Sequence, residues 1–337
     1  IRHPMVKYLV SKSLSLVCVV AASSVASAQN WVMPTPFGDR NQPTQIAYEF
    51  AEDVQALTNG EVNILVKSNG HALPHLAIPG AVMTGKVVIG EFLLGLLDKQ
   101  NSIFQHDMIP FLANNYDDSQ LLWQVSKADT QKQLHKLGLH YLYVVPWTPY
   151  SAFSTRKIEN IDDFSGLSIR AFNQTVTSLI QKLGANPVKV PLKDVTSAFE
   201  QGKLDGRFAS LSVGEDSQIW TYAPYLNDLR IWIPKEIVVM NKSAFDKLDE
   251  KTKAAIEKAS LKAERNGWLQ TKERVETDLA SLKNGGIIYS KPSNKLLREL
   301  EAINQRMTQE WIEQDPKQNG DIYRAYREAQ RQSKGIK

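Results

Sequence analysis

From Leu248 to Leu282 the chain runs 35 residues without a proline, rich in Lys, Glu and Ala, and this run does most to narrow the folds open to it. Ile256, Ala259, Ala263, Val275, Leu279 and Leu282 fall on one stripe at helical spacing. At about 1.5 Å of rise per residue, a continuous helix of this length reaches roughly 50 Å. That is the dimension of a whole two-lobed protein, and 337 residues exceed what one hydrophobic core usually organises. The helix is therefore expected to brace two lobes. Its mixed charges read as a solvated face.

The segments before it alternate strand and helix. "TQIAYEFAEDVQALTNG" places Ile46, Phe50, Val54 and Leu57 on a helical face closed by Asn59-Gly60. "EVNILVKSN" reads as a strand, "LAIPGAVMTGK" as a short helix and "VVIGEFL" as another strand. The pattern restarts past a boundary near Tyr150. There "GLSIRAF" is a strand, Val176, Leu179, Ile180 and Leu183 make a helix, "PVKV" is a strand, and Asp194 or Thr196 opens a further helix. After the long helix, "IIYS" is a strand and "NKLLRELEAINQRMTQEWIEQ" a closing helix. This alternation predicts α/β layers with a largely parallel sheet in each of two lobes.

The first residues belong to a different class. Lys7 and Lys12 precede the apolar run from Leu14 to Ala22, and Ala26-Ser27-Ala28 follows, so residues 1–28 are expected to be a cleaved export signal leaving Gln29 as the mature start. The single cysteine, Cys18, leaves with it, and with it any disulfide, CxxC pair or cysteine nucleophile. Arg2, Lys7 and Lys12 leave too, so the remaining chain balances 37 cations against 36 acids. Neither a charge excess nor an arginine-rich run supports a nucleic-acid partner. No later apolar stretch is long enough to insert in a membrane.

Leu167, Ile169 and Ala171 alternate with Ser168, Arg170 and Phe172, which puts Arg170 near the carboxyl end of a strand. Asn173 or Thr175 is placed to cap the helix that follows. Ligands of open α/β sheets sit beyond the carboxyl ends of strands, and a helix N-terminus there adds unpaired N–H groups and a positive dipole end. A guanidinium adds a fork that matches a carboxylate. These features converge on an anion. The residues alone leave open a pairing of Arg170 with Asp162 or Asp163, or an exposed edge.

"AVMTGKVVIGEFL", "MIPFLANNYDDSQLLW", "IDDFSGLSIRAFN", "LGANPVKVPLKDVTSAFEQGKLDG" and "VVMNKSAFDKL" follow one another between Trp31 and Leu282. This ordered set resembles the substrate-binding proteins of tripartite ATP-independent periplasmic (TRAP) transporters, the DctP-like family. The resemblance implies the class II-like periplasmic binding protein fold: two α/β lobes joined by a hinge and bridged by a long helix. Residues 29–150 with 237–282 are expected to form lobe I, and 151–236 with 283–337 lobe II. It further implies an organic acid held between the lobes by Arg170, delivered to the membrane permease subunits of a TRAP-type transporter from a periplasmic location.

Two departures from the family pattern bear on the ligand. The run Asp205-Gly206-Arg207-Phe208-Ala209-Ser210 has alanine where many relatives carry a ligand-holding asparagine, and the stretch before the Arg170 strand, where many carry a second arginine, here reads "VVPWTPYSAFSTRKI". A monocarboxylate with an apolar or aromatic body is therefore expected in preference to a C4-dicarboxylate. Trp147, Tyr150, Phe172 and Phe208 are candidates for its flat walls. Asn173 and Ser210 are candidate polar contacts. Arg207 either replaces the missing cation or faces solvent, and Glu91 either accepts from a ligand hydroxyl or closes an inter-lobe ion pair, the second being the safer expectation.

The inventory for other chemistry is nearly empty. His71 and His75 flank Pro74 without a cysteine or acid to complete a metal set, and neither a phosphate-cradling loop nor a nucleophile elbow occurs. No cofactor or catalytic group is expected. The competing readings are an exported enzyme using Arg170 to anchor a carboxylate substrate, and an extracytoplasmic sensor domain.

Overall fold

The computed structural model describes residues 28–335, so the export signal expected over residues 1–28 lies, but for Ala28, outside the described residues. In chain order the first elements are β1 (Gln29–Pro34), α1 (Gln42–Leu57), β2 (Val62–Lys67), α2 (Ile78–Met83), β3 (Ile89–Leu93), α3 (Tyr116–Lys136), β4 (Leu139–Pro146) and β5 (Tyr150–Ser154). Next come β6 (Ser168–Ala171), α4 (Gln174–Lys182), β7 (Asn186–Lys189), α5 (Val195–Glu200), β8 (Gly206–Ser210), α6 (Leu211–Asp216) and β9 (Tyr225–Trp232). β10 (Lys235–Asn241), α7 (Lys242–Asp246), α8 (Glu250–Gly285), β11 (Ile288–Ser290), α9 (Asn294–Gln314) and α10 (Gln318–Ser333) complete the order.

The strands form a two-stranded sheet β1-β2, a three-stranded sheet β3-β10-β4 and a six-stranded sheet β11-β9-β5-β8-β6-β7. They are not largely parallel as the alternation predicts. β10 runs antiparallel to both neighbours, and β5 runs antiparallel to β8 and β9. Among the described residues, parallel pairing joins β1 with β2, β6 with β7 and β8, and β9 with β11. The reversed strands are those that carry the chain between the two larger sheets. β4 ends at Pro146 and β5 begins at Tyr150, while β9 ends at Trp232 and β10 begins at Lys235. These two crossings are tied together where the Trp147 amide donates to the Pro234 carbonyl at 2.9 Å.

α8 bridges the sheets, as the sequence predicts. Asp249 starts it by accepting from the Thr252 amide at 2.9 Å, and Gly286 stops it at φ 105°, a left-handed conformation open to glycine. Its stripe is shared between two cores. Ile256, Ala259 and Ala263 pack with Trp31, Phe50 and Tyr143, whereas Val275, Leu279 and Leu282 pack with Phe153, Leu226 and Trp232. Two glycines set how closely the helix lies. A Cβ at Gly267 would stand 3.0 Å from Val145, and one at Gly285 would stand 2.5 Å from the Trp220 indole. α9 and α10 cross between the sheets again. Leu296, Leu300 and Ile303 join the core of the six-stranded sheet, and Trp311, Ile322 and Tyr326 pack with Trp123 and Phe104 on the other side.

Candidate functional site

Arg170 occupies β6, paired with Val188 of β7, and its side chain is almost wholly buried. Nε donates to the Val190 carbonyl at 3.0 Å, and the guanidinium carbon lies 5.3 Å from the Phe172 ring centroid. Neither Asp162 nor Asp163 reaches it. Asp163 instead accepts from the amides of Glu159 and Asn160, both at 2.8 Å. Burial first, and then the charge of Arg207, bring the Arg170 guanidinium down to about 9, so it stays a cation at neutral pH.

Arg207 lies on β8, opposite Phe153 of β5, and is 5% exposed with no hydrogen-bond partner for Nε among the described residues. The question left by the sequence is thereby settled: this side chain faces inward. Arg170 and Arg207 border the same small cavity of about 30 Å³, walled by Phe37, His75, Leu93, Tyr150, Phe172, Leu192 and Phe208. Among the described residues no carboxylate is part of that wall. Two cations out of water without a counter-charge are costly, and a bound anion removes that cost. Leu76, Leu96, Arg170 and Phe172 also border an adjoining cleft of about 660 Å³ that continues past Met83, Asn173 and Pro191.

The helix N-terminus expected to hold the ligand is occupied by the protein itself. Oδ2 of Asp98, from the segment after β3, accepts from the amides of Gln174 at 2.9 Å and Thr175 at 3.3 Å. Asn173 caps α4 by accepting from the Val176 amide at 2.9 Å, and its Nδ2 donates to the Gly95 carbonyl at 3.0 Å. Both contacts tie the β3 side to the β6 side across the cleft. Burial holds the Asp98 carboxyl above its usual range, with the Thr175 and Gln174 amides opposing it.

Tyr150, Phe172, Phe208, Arg170 and Arg207 thus meet at the inner cavity, and Asn173 borders only the wider cleft. The other candidates lie elsewhere. Ser210 is wholly buried and caps α6 through the Val213 amide at 3.1 Å. Trp147 stands one layer back, edge-on to Phe37 at 4.5 Å, with Nε1 donating to Glu236 at 3.0 Å. Glu91 closes no ion pair among the described residues. It is buried beside β10 with neither carboxylate oxygen partnered among the described residues, and burial pushes it up to about 8. Burial and the Glu91 charge likewise push Glu236 well above its usual range.

Among the wall residues, His75 is one that sequence reasoning missed. Its spacing from His71 suggests at most a metal ligand, and nothing in that spacing points to this cavity. Its Nε2 accepts from the Leu93 amide at 3.2 Å, its ring stands edge-on to Phe37 at 5.5 Å, and burial with the nearby Arg170 charge brings it down to about 3.

The family profile of bacterial extracellular solute-binding proteins, family 7, matches residues 38–315. The chain belongs to that family. The solved structure of DctP7 of Bordetella pertussis, described as an extracytoplasmic solute receptor binding pyroglutamic acid, is 31% identical with a TM-score of 0.87, covering 89% of this chain and all of that one. A marine metagenome TRAP solute-binding protein, described as specific for pyroglutamate, is 25% identical over 90% of this chain and 99% of its own, again with a TM-score of 0.87. Among curated relatives, TsaT of Comamonas testosteroni, described as an outer membrane transporter protein, is 25% identical over 94% of this chain and 97% of its own. The chain is therefore a solute-binding receptor of TRAP type.

Proposed function

We propose that this chain is a periplasmic receptor that captures a small organic monoanion between its lobes and hands it unchanged to a TRAP-type permease. The observation that carries the reading is the pair Arg170 and Arg207, buried on one small cavity whose wall holds no acid. Because both guanidiniums border the same volume, they converge on one carboxylate instead of spanning the two ends of a diacid. The aromatic and aliphatic wall suits an apolar body. An ammonium group on the ligand finds no counter-charge in that wall, and Asp98 of the adjoining cleft is already engaged by the Gln174 and Thr175 amides, so free amino acids are disfavoured. Pyroglutamate, a carboxylate whose nitrogen is an uncharged amide, fits these demands, and the descriptions of two similar solved receptors favour it.

Closure follows from differential affinity. A ligand shifts an open–closed equilibrium only by binding the closed form more tightly. Here the contacts come from both sides of the cleft, with Arg170, Arg207 and Phe208 on one and Phe37, His75 and Leu93 on the other. We extend the proposal to the lobes, 29–150 with 237–282 and 151–236 with 283–337, hinged at the paired crossings near Trp147 and Pro234, with the end of α9 and α10 reaching back onto the first lobe through Trp311, Ile322 and Tyr326. Titration calorimetry with pyroglutamate, proline and succinate tests the reading. Pyroglutamate is expected to bind most tightly and to be recovered intact. A succinate preference contradicts the monoanion assignment, and turnover of any acid favours the enzyme reading.

A further inference from the structure

We infer that His75 is a specificity-determining residue whose Nδ1–H donates to a second, uncharged oxygen of the ligand, so that the solute is a carboxylate bearing a nearby carbonyl or hydroxyl acceptor. The inference rests on the receptor reading above and names the ligand class for the same site.

The tautomer comes from the backbone. Nε2 accepts from the Leu93 amide at 3.2 Å, so its lone pair is engaged and it carries no proton. Glu236 Oε1 lies 3.7 Å from the same nitrogen, beyond hydrogen-bond distance. A proton on Nε2 would face the Leu93 N–H and leave that donor without an acceptor, which is costly in a half-buried setting. In the neutral ring the proton therefore sits on Nδ1, because the two nitrogens take opposite roles. Nδ1 has no protein partner among the described residues, it is not among the fully buried unpartnered atoms, and its residue lines the cavity. Phe37 fixes the ring plane from the side.

The remaining question is which ligand atom receives this proton. Of the guanidinium N–H groups of Arg170 and Arg207, only Arg170 Nε is engaged within the protein among the described residues. The others outnumber the about four acceptor sites of a single carboxylate. The carboxylate is thus satisfied without His75, and the histidine proton is left for another oxygen. Because Nε2 accepts, the His75 ring is neutral and adds no third positive charge to hold a second carboxylate, so we assign the second group as an uncharged acceptor such as the ring carbonyl of a lactam.

Two acids of matched ring size test this: pyroglutamate and cyclopentanecarboxylate, which lacks the amide. Calorimetry on the whole chain is expected to show that His75→Leu weakens pyroglutamate on the order of tenfold while changing cyclopentanecarboxylate less than about twofold. His75→Asn, whose amide N–H sits near the Nδ1 position, is expected to restore most of the loss. Equal weakening of both acids, or of neither, overturns the inference and leaves the receptor reading standing. Arg170→Ala weakening both acids by about 30-fold or more supports the receptor reading independently, and a wild-type chain that binds neither acid overturns both. Nitrogen NMR of the histidine-labelled wild type gives a readout that needs no variant. A neutral ring protonated at Nδ1 is expected, and protonation at Nε2 overturns the inference.

Discussion

Arg170 earns its assignment through what surrounds it. A buried cation whose charged neighbours include Arg207 and no acid is held in place against its own desolvation, and a carboxylate between the two reverses the balance. Arg170→Ala should weaken pyroglutamate binding by about 2–5 kcal/mol, roughly 30- to several-thousand-fold, with the melting temperature of the free protein unchanged or raised. Calorimetry beside a thermal melt checks both halves. Glu91 gives the opposite kind of residue-scale prediction. Its carboxyl is pushed up to about 8 from 4.5, so the folded protein holds a proton there that the unfolded chain releases. That contribution is fully present below about pH 4.5 and is lost as pH rises through about 8. Glu91→Gln should therefore flatten the fall in stability between about pH 5 and about pH 8, followed by melts across that range. Arg170 was legible because strand alternation and motif order coincide at one residue. Glu91 was misread because nothing local in "VVIGE" tells a buried neutral acid from a paired one.

Elements join the two sides of the cleft where the chain supplies its own substitute for ligand contacts. Asp98 sits at the N-terminus of α4, and Asn173 reaches the Gly95 carbonyl. Gly95 is bare for a reason: a Cβ there would overlap Met108 Sδ and stand 3.2 Å from Asn173 Nδ2. Gly95→Ala and Asp98→Ala should each hold the cleft further open, weakening every acid by a similar factor without reordering their affinities. Small-angle scattering with and without pyroglutamate, alongside calorimetry, reads this directly, and a change confined to one acid contradicts it. This clasp was invisible in the sequence because its partners lie 76 residues apart. α3 escaped notice for a different reason. Its buried face includes Ser119, Ser126 and Thr130, and Ser126 satisfies itself on the Leu122 carbonyl at 2.7 Å, so the apolar stripe that marks a helix is broken. The largely parallel sheet failed because strand–helix alternation carries no sign of a strand that crosses between lobes and returns reversed.

At the scale of the whole molecule, α8 decides the architecture, and its length was readable from an uninterrupted run of helix formers. One stripe of side chains serves two cores in succession, so the helix fixes the spacing of the sheets, and the proposed hinge lies at the crossings near Trp147 and Pro234. Which acid the cleft closes on was less legible, because the alanine at position 209 says only what is missing, and the converging Arg207 appears only once β8 is folded beside β6. The account stands on one arrangement, a single carboxylate gripped by two arginines between closed lobes. A crystal structure of the protein with pyroglutamate measures it most directly. We expect the carboxylate between Arg170 and Arg207, with the ring against Phe172 and Phe208. Density for the acid outside that pair, or Arg170 turned to bulk water in the complex, contradicts the account.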